Sequence, residues 1–216
     1  MGRGGVAQRN RDDGANGRNF GGGGAPSLRA LLREVAKAVP DPSHQGSVYD
    51  VWRKRANLAA DSLEPQMGDP GGGSDFAGFY NHLGIPIADW GFGGPTGVYH
   101  SAYDSYHWMS KFGDPNFEVH ATSARIGAVA LLRIANAEIL PYDYVEFART
   151  MRRFGSQIDQ PIGNKPWTVS AAGLTAASGV MESAAVACNA GRDRPPTAPP
   201  PTGTASQCET RVPRGG

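Results

Sequence analysis

GGGSDFAGFYNHLGIPIADWGF, residues 71–92, changes its hydrophobic period part-way along. Phe76, Phe79, Tyr80 and Leu83 recur at helical spacing and make one apolar face, with Ser74 or Asp75 placed to cap the start and Gly84 to stop the end. The apolar run from Ile85 to Phe92 follows and reads as a strand. A short helix, a glycine stop and a strand make an αβ step, the repeating unit of a layered α/β domain.

Upstream, Ser27 after Pro26 is placed as an N-cap, and Leu28, Leu31, Leu32, Val35 and Val39 follow on one helical face until Pro40 stops them. VYDVWRKR reads as a short helix or turn, and LEPQMGDPGGG as a connection too rich in glycine and proline for a regular element. Downstream, GFGGPTGV is a loop, so Tyr99 and His100 fall near a strand end, where α/β folds place their binding groups. Helices are expected over 118–140, ended by Pro141, then over 144–158 and 168–187. The change from αβ to helix alone predicts a domain boundary near residue 141.

The ends differ from this interior. Residues 1–24 hold nine glycines and four arginines against two acids, and residues 189–216 hold six prolines with the same charge balance. Both are expected to be disordered, because neither carries enough apolar surface to offset chain entropy. The net charge of +1 therefore sets basic ends against a mildly acidic body. The arginines lie among glycines without interleaved aromatics, which argues against a nucleic acid partner. Cys188 and Cys208 stand twenty residues apart and form neither a metal pair nor a redox pair. The longest apolar pattern, IGAVALLRIANAEIL, is interrupted by Arg133, Asn136 and Glu138, so no membrane segment is expected; the compartment is left open.

GGGSDFAGFYNHLGIP together with GVYHSAYDSYHWMSKFGDPNFEVHATSARIGAVALLRIANAEILPYDYVEFA resembles the C-terminal part of the glutamate carboxypeptidase II and transferrin receptor family, whose peptidases are dizinc exopeptidases. A G-S-D-F helix start, a Y-H-S-x-Y-D turn, a K-F-G-D-P break and an L-P-Y-D-Y junction carry the resemblance, in that order, over roughly residues 25–187. It implies that 25–141 is the last part of a layered α/β peptidase domain and 142–188 the start of a helical dimerisation domain. It also implies, in the longer protein, two zinc ions, a small peptide substrate losing its C-terminal residue, and a homodimer.

Residue by residue, the resemblance makes His100 a zinc ligand and Tyr99 the donor to the oxyanion of the tetrahedral intermediate. Read without it, His100 is a surface histidine and Tyr99 a packed aromatic. Gly72, Gly73 and Ser74 match a segment lining the substrate cleft, where glycine lets a peptide approach the backbone closely. Asp75 either orients the zinc shell or caps its helix. His82, His107 and His120 match no role, and Asp104 and Asp114 read as turn and cap residues.

The departures weigh as much. The remaining zinc ligands and the general base belong to segments expected before Ala25, and residues 1–24 contain no histidine or glutamate. The arginine patch behind the family's preference for acidic side chains should fall in IPIADWGFGGPTG, which has no arginine. The Gly/Arg and Pro/Arg ends predict a reading frame cut from a longer gene. The chain alone is expected to be inactive, and the alternative is a non-catalytic dimerisation or interaction module like that of the receptor branch.

Overall fold

The computed structural model describes residues 7–10, 15–58, 63–95, 97–163 and 170–193. The chain divides into two compact units, Met1–Asn136 and Ala137–Gly216.

The first unit is built on a three-stranded sheet. Strand β1 (Gln8–Asn10) runs parallel to β3 (Ile87–Gly93), and β2 (Asn19–Gly24) runs antiparallel to β3 on its other side, giving the order β1-β3-β2. This corrects the expectation of disorder for residues 1–24. Six consecutive residues of that segment pair with β3, from Asn19 opposite Gly93 to Gly24 opposite Ala88, and Phe20 is only 2% exposed. The ladder satisfies the backbone and one aromatic anchors it, which a composition average cannot register. The calls on residues 1–6 and 11–14 lie outside the described residues.

Paired residues share a face, so Phe20, Gly22 and Gly24 lie with Phe92, Trp90 and Ala88. That face is the packed one. Phe20 meets Phe92 and Trp52 edge-on, with ring centroids 5.3 and 5.1 Å apart. Helix α1 (Arg29–Ala38) covers it with Leu31, Leu32, Val35 and Ala36, all buried. A Cβ on Gly22 would stand 2.8 Å from Leu32 Cδ2, so glycine is what lets α1 lie this close. Gly24 has φ +132°, a conformation closed to other residues, at the point where the chain leaves the strand.

Ser27 does not cap α1. It is buried in a 3-10 turn, Pro26–Leu28, that precedes the helix, and no side-chain cap bond forms at either start. Proline at the first position has no N–H to satisfy and presets φ, so the chain begins turning two residues early. Helix α2 (Val48–Arg55) starts instead with a reciprocal capping box: Ser47 Oγ accepts from Asp50 N at 3.1 Å, and Asp50 Oδ2 accepts from Ser47 N at 2.8 Å. Arg53, Lys54 and Arg55 complement the dipole at its far end.

After β3 come the short α3 (Tyr106–Trp108), continued as a π-helical turn Met109–Gly113, and then α4 (Glu118–Ala135). Asp114, 2% exposed, prepares the start of α4, its Oδ2 accepting from His120 N at 3.0 Å and from His120 Nδ1 at 2.8 Å. Burial works to raise the Asp114 pKa, but the hydrogen bonds from the His120 side chain and from the His120 and Val119 amides outweigh it and hold the carboxyl below its usual range. The helix stops at Ala135 rather than at 140 because Asn136 folds its side chain back to donate to the Leu132 carbonyl at 2.8 Å.

The second unit is a helical hairpin of α5 (Tyr144–Gly163) and α6 (Ala172–Arg192), both longer at the C-terminus than the sequence pattern suggests. The tail expected to be disordered from 189 therefore begins helical as far as Arg192; its remainder from residue 194 lies outside the described residues. Asp143 Oδ1 accepts from Val145 N and Glu146 N, both at 3.0 Å, and from Asn189 Nδ2 at 2.9 Å, so one carboxylate caps α5 and ties it to α6. Glu182 lies 2.7 Å from Arg149 and 2.8 Å from Arg152. The seam is made of small residues, Ala148, Gly155, Ser178 and Ala185, all buried. Cys188 is disulfide-bonded, and Cys208 lies outside the described residues.

Candidate functional site

The expected catalytic pair sits on a turn a few residues beyond the carboxyl end of β3. Ser101 N donates to Val98 O at 3.0 Å, closing a four-residue turn with Tyr99 and His100 at its centre. His100 takes the left-handed position with φ +57°. A turn of this kind asks for positive φ at its third residue, where glycine or asparagine is the ordinary choice. Ser101 Oγ donates to Val98 O at 2.7 Å and accepts from Tyr103 N at 3.2 Å, so the turn is bonded from both sides. The Tyr99 and His100 rings stack with centroids 3.9 Å apart and 19° between planes, and both side chains are open to solvent.

Gly72, Gly73 and Ser74 form a second exposed loop, with Gly72 and Gly73 at the surface and Ser74 half-buried. Space is open around Gly73, where an added Cβ would meet nothing within 4 Å. Asp75 is exposed, and the π-helical turn Gly78–His82 behind it starts from Ala77 without a side-chain cap. Of the histidines that match no role, His82 lies in that turn and His107 in α3, both exposed, while His120 is engaged with Asp114.

A wide concavity lies beside this second loop. It is a groove of about 530 Å³ whose floor is the sheet face opposite α1. On that face Asn19 pairs with Gly93, Gly21 with Gly91, and Gly23 with Asp89. Four glycines in two strands leave the floor without side chains. Phe76, Ile87 and Pro70 contribute apolar wall, and Gly68–Gly71, the residues leading into the Gly72–Ser74 loop, form one rim. The rim is pinned to β2 and to α1: Gly24 N donates to Gly68 O and Gly68 N to Gly22 O, both at 3.2 Å, and Arg29 Nη2 donates to Gly68 O at 3.4 Å and lies 2.6 Å from Asp69 Oδ1. At the far end Arg55 donates to the Phe20 carbonyl, and burial lowers its pKa from the ordinary value. Tyr99 and His100 do not line this groove.

Sequence reasoning missed the groove because half its floor belongs to the segment taken as disordered. A signal was present: NFGGGG and WGFGG each join an aromatic residue to glycines immediately around a strand-length run.

Among the described residues no three His, Cys, Asp or Glu side chains gather as a metal cage. No helix among them is long and apolar enough to cross a membrane.

A small mixed sheet under helices, compatible with an α/β class, a glycine-rich cleft and, apart from its lining, an exposed Tyr-His turn are the features to be matched by relatives. The chain is 35% identical over 155 residues to the "Probable glutamate carboxypeptidase LAMP1" of Arabidopsis thaliana, covering 71% of this chain and 22% of that protein. It is 35% identical over 149 residues to the "Probable glutamate carboxypeptidase VP8" of Zea mays, covering 68% and 20%. To the "Aminopeptidase NAALADL1" of Rattus norvegicus it is 28% identical over 179 residues, covering 77% and 24%. The chain belongs to the glutamate carboxypeptidase II and transferrin receptor family. It spans about a fifth of the length of these curated relatives. No family model matches it.

Proposed function

We propose that the chain supplies part of the active site of a peptidase that removes the C-terminal residue of small peptides. In this reading Tyr99 donates a hydrogen bond to the oxyanion of the tetrahedral intermediate, and His100 is one ligand to one of two zinc ions. Gly72, Gly73 and Ser74 border the substrate, and Asp75 supports the zinc shell. The observation that carries the reading is His100 itself: a β-turn holds an imidazole in the left-handed region on an exposed turn past a strand end, stacked on a tyrosine. Backbone conformations of this kind collect at functional sites, where the surrounding bonds hold them. The relatives' names support a peptidase, and the carboxypeptidase names, though not the aminopeptidase one, support action at the C-terminal residue.

A zinc centre takes about four ligands, and the described residues do not assemble one around His100. The chain by itself is therefore expected to be inactive even with zinc added. What these residues do on their own is present a phenol donor and an imidazole on one fixed turn.

A second reading, a dimerisation or interaction module, is favoured by α6, which leaves Leu174, Val180 and Val186 exposed along the hairpin. In that reading a homodimer forms through the helical unit.

The two separate in a chimera. The segment of the maize probable glutamate carboxypeptidase that matches this chain is replaced by the corresponding residues of the chain, and zinc-dependent release of the C-terminal residue from N-acylated dipeptides is measured. The catalytic reading predicts turnover that His100→Ala abolishes and that Tyr99→Phe lowers roughly 100-fold or more in kcat. Equal turnover in the chimera and its His100→Ala variant refutes it.

A further inference from the structure

We propose that Ser101 is the positioning residue of the Tyr99–His100 turn: its hydroxyl holds His100 in the left-handed conformation and so keeps phenol and imidazole presented together. That the pair takes part in peptide hydrolysis rests on the peptidase reading above; that Ser101 holds it follows from the turn alone.

Residues 99–104 are all exposed, so no packing from another element sets their conformation. The Tyr99 and His100 rings stack on one another, and neither has a hydrogen-bond partner among the described residues. Their stack relates the two rings to each other but does not fix the backbone beneath them. A left-handed residue with a β-carbon persists only where its surroundings over-determine it. Phe117, which has φ +55°, is held by ring contacts to Tyr106 and His120 and by the first turn of α4. His100, with φ +57°, has no such contacts beyond Tyr99, and what braces it is the hydrogen bonding of the next residue.

Ser101 uses all of its polar groups for this. Its N–H donates to Val98 O at 3.0 Å and its Oγ donates to the same carbonyl at 2.7 Å. Oγ also accepts from Tyr103 N at 3.2 Å, and the Ser101 carbonyl accepts from Asp104 N at 3.1 Å. Two consecutive turns, Val98–Ser101 and Ser101–Asp104, therefore share this residue as their joint. The hydroxyl clamps that joint from the side chain, by the local side-chain-to-backbone bonding that serine favours. Alanine would keep the two backbone bonds and lose both hydroxyl bonds, leaving the Tyr103 amide without its partner. His100 would then relax toward the commoner backbone regions and the two rings would part. A reacting pair displaced in this way loses rate more than it loses substrate binding.

The experiment compares the full 216-residue chain, labelled with ¹³C and ¹⁵N, with its Ser101→Ala and Ser101→Thr variants. A positive φ brings a residue's own HN and Hα close together and gives a strong nuclear Overhauser effect between them. Wild type and Ser101→Thr, which keeps the hydroxyl, are expected to show that strong effect at His100 together with ring-to-ring effects between Tyr99 and His100. Ser101→Ala is expected to weaken both at least about twofold. The turn lies outside the core, so the urea unfolding curves of all three should coincide. In the chimera described above, Ser101→Ala should lower kcat about tenfold with KM within about twofold, and Ser101→Thr should bring kcat back to within about threefold of wild type. Unchanged effects at His100 in Ser101→Ala, threonine as damaging as alanine, or full kcat for Ser101→Ala in a chimera that turns over each overturn the proposal. The magnetic resonance arm needs no turnover, so an inactive chimera counts against the peptidase reading and leaves the hold of Ser101 on the turn to be upheld or refuted by the effects at His100.

Discussion

Strands β2 and β3 present two faces made from alternating residues of the same twelve-odd positions, and the two could hardly differ more. One carries Phe20, Trp90 and Phe92, each at most 3% exposed, under α1. The other carries Gly21, Gly23, Gly91 and Gly93 and lies open as a groove. The period of two in a strand lets neighbouring residues serve different ends, one face holding the unit together and the other free to be shaped for a ligand. Removing a side chain should therefore hurt on the packed face, and adding one should be tolerated only on the open face.

The largest effect is expected from Phe92→Ala. This ring is fully buried and packs edge-on against Phe20, so its loss should cost about 3–5 kcal/mol in urea unfolding. A cost below about 1 kcal/mol would mean that the packed face is not the core of the unit.

Next comes Asp114, which sets the start of α4 in the same unit. Asp114→Asn removes the charge that two His120 groups bond to and should cost roughly 2 kcal/mol at neutral pH. The sign of its pH dependence follows from the lowered pKa. The native carboxyl stays ionised where the unfolded one has begun to protonate, so its contribution is complete above about pH 4 and fades as pH falls through the native value. The gap between wild type and variant should close in acid; a gap that is flat from pH 7 to pH 2 would contradict this.

Much of the first unit is legible in sequence, and the failures have physical causes. Strand β3 and helix α1 show themselves through Ile87, Trp90 and Phe92 and through the Leu28, Leu31, Leu32, Val35 spacing, because each buries several side chains at its own period. Strand β2 does not, since four of its six residues are glycines and its pairing depends on a strand some seventy residues away. The π-helical turns Gly78–His82 and Met109–Gly113 follow neither period, and the first reads only as part of a short helix. At the candidate site, Tyr99 and His100 stand out through the resemblance of the turn that carries them. The groove is invisible to any search for chemical side chains, since it is built by leaving them out.

Gly21 and Gly22 are adjacent and point to opposite faces, so urea unfolding of Gly21→Val beside Gly22→Val measures the difference between the faces in one pair of curves. At Gly22 a Cβ would be forced within 2.8 Å of Leu32, and the variant should lose roughly 1–2 kcal/mol by overpacking. At Gly21 nothing stands in the way, and the change should stay within about 0.5 kcal/mol of wild type or stabilise slightly, since a branched residue suits a strand better than glycine. Equal losses at the two positions, or a larger loss at Gly21, would show that the second face is packed as well and that the groove is not open.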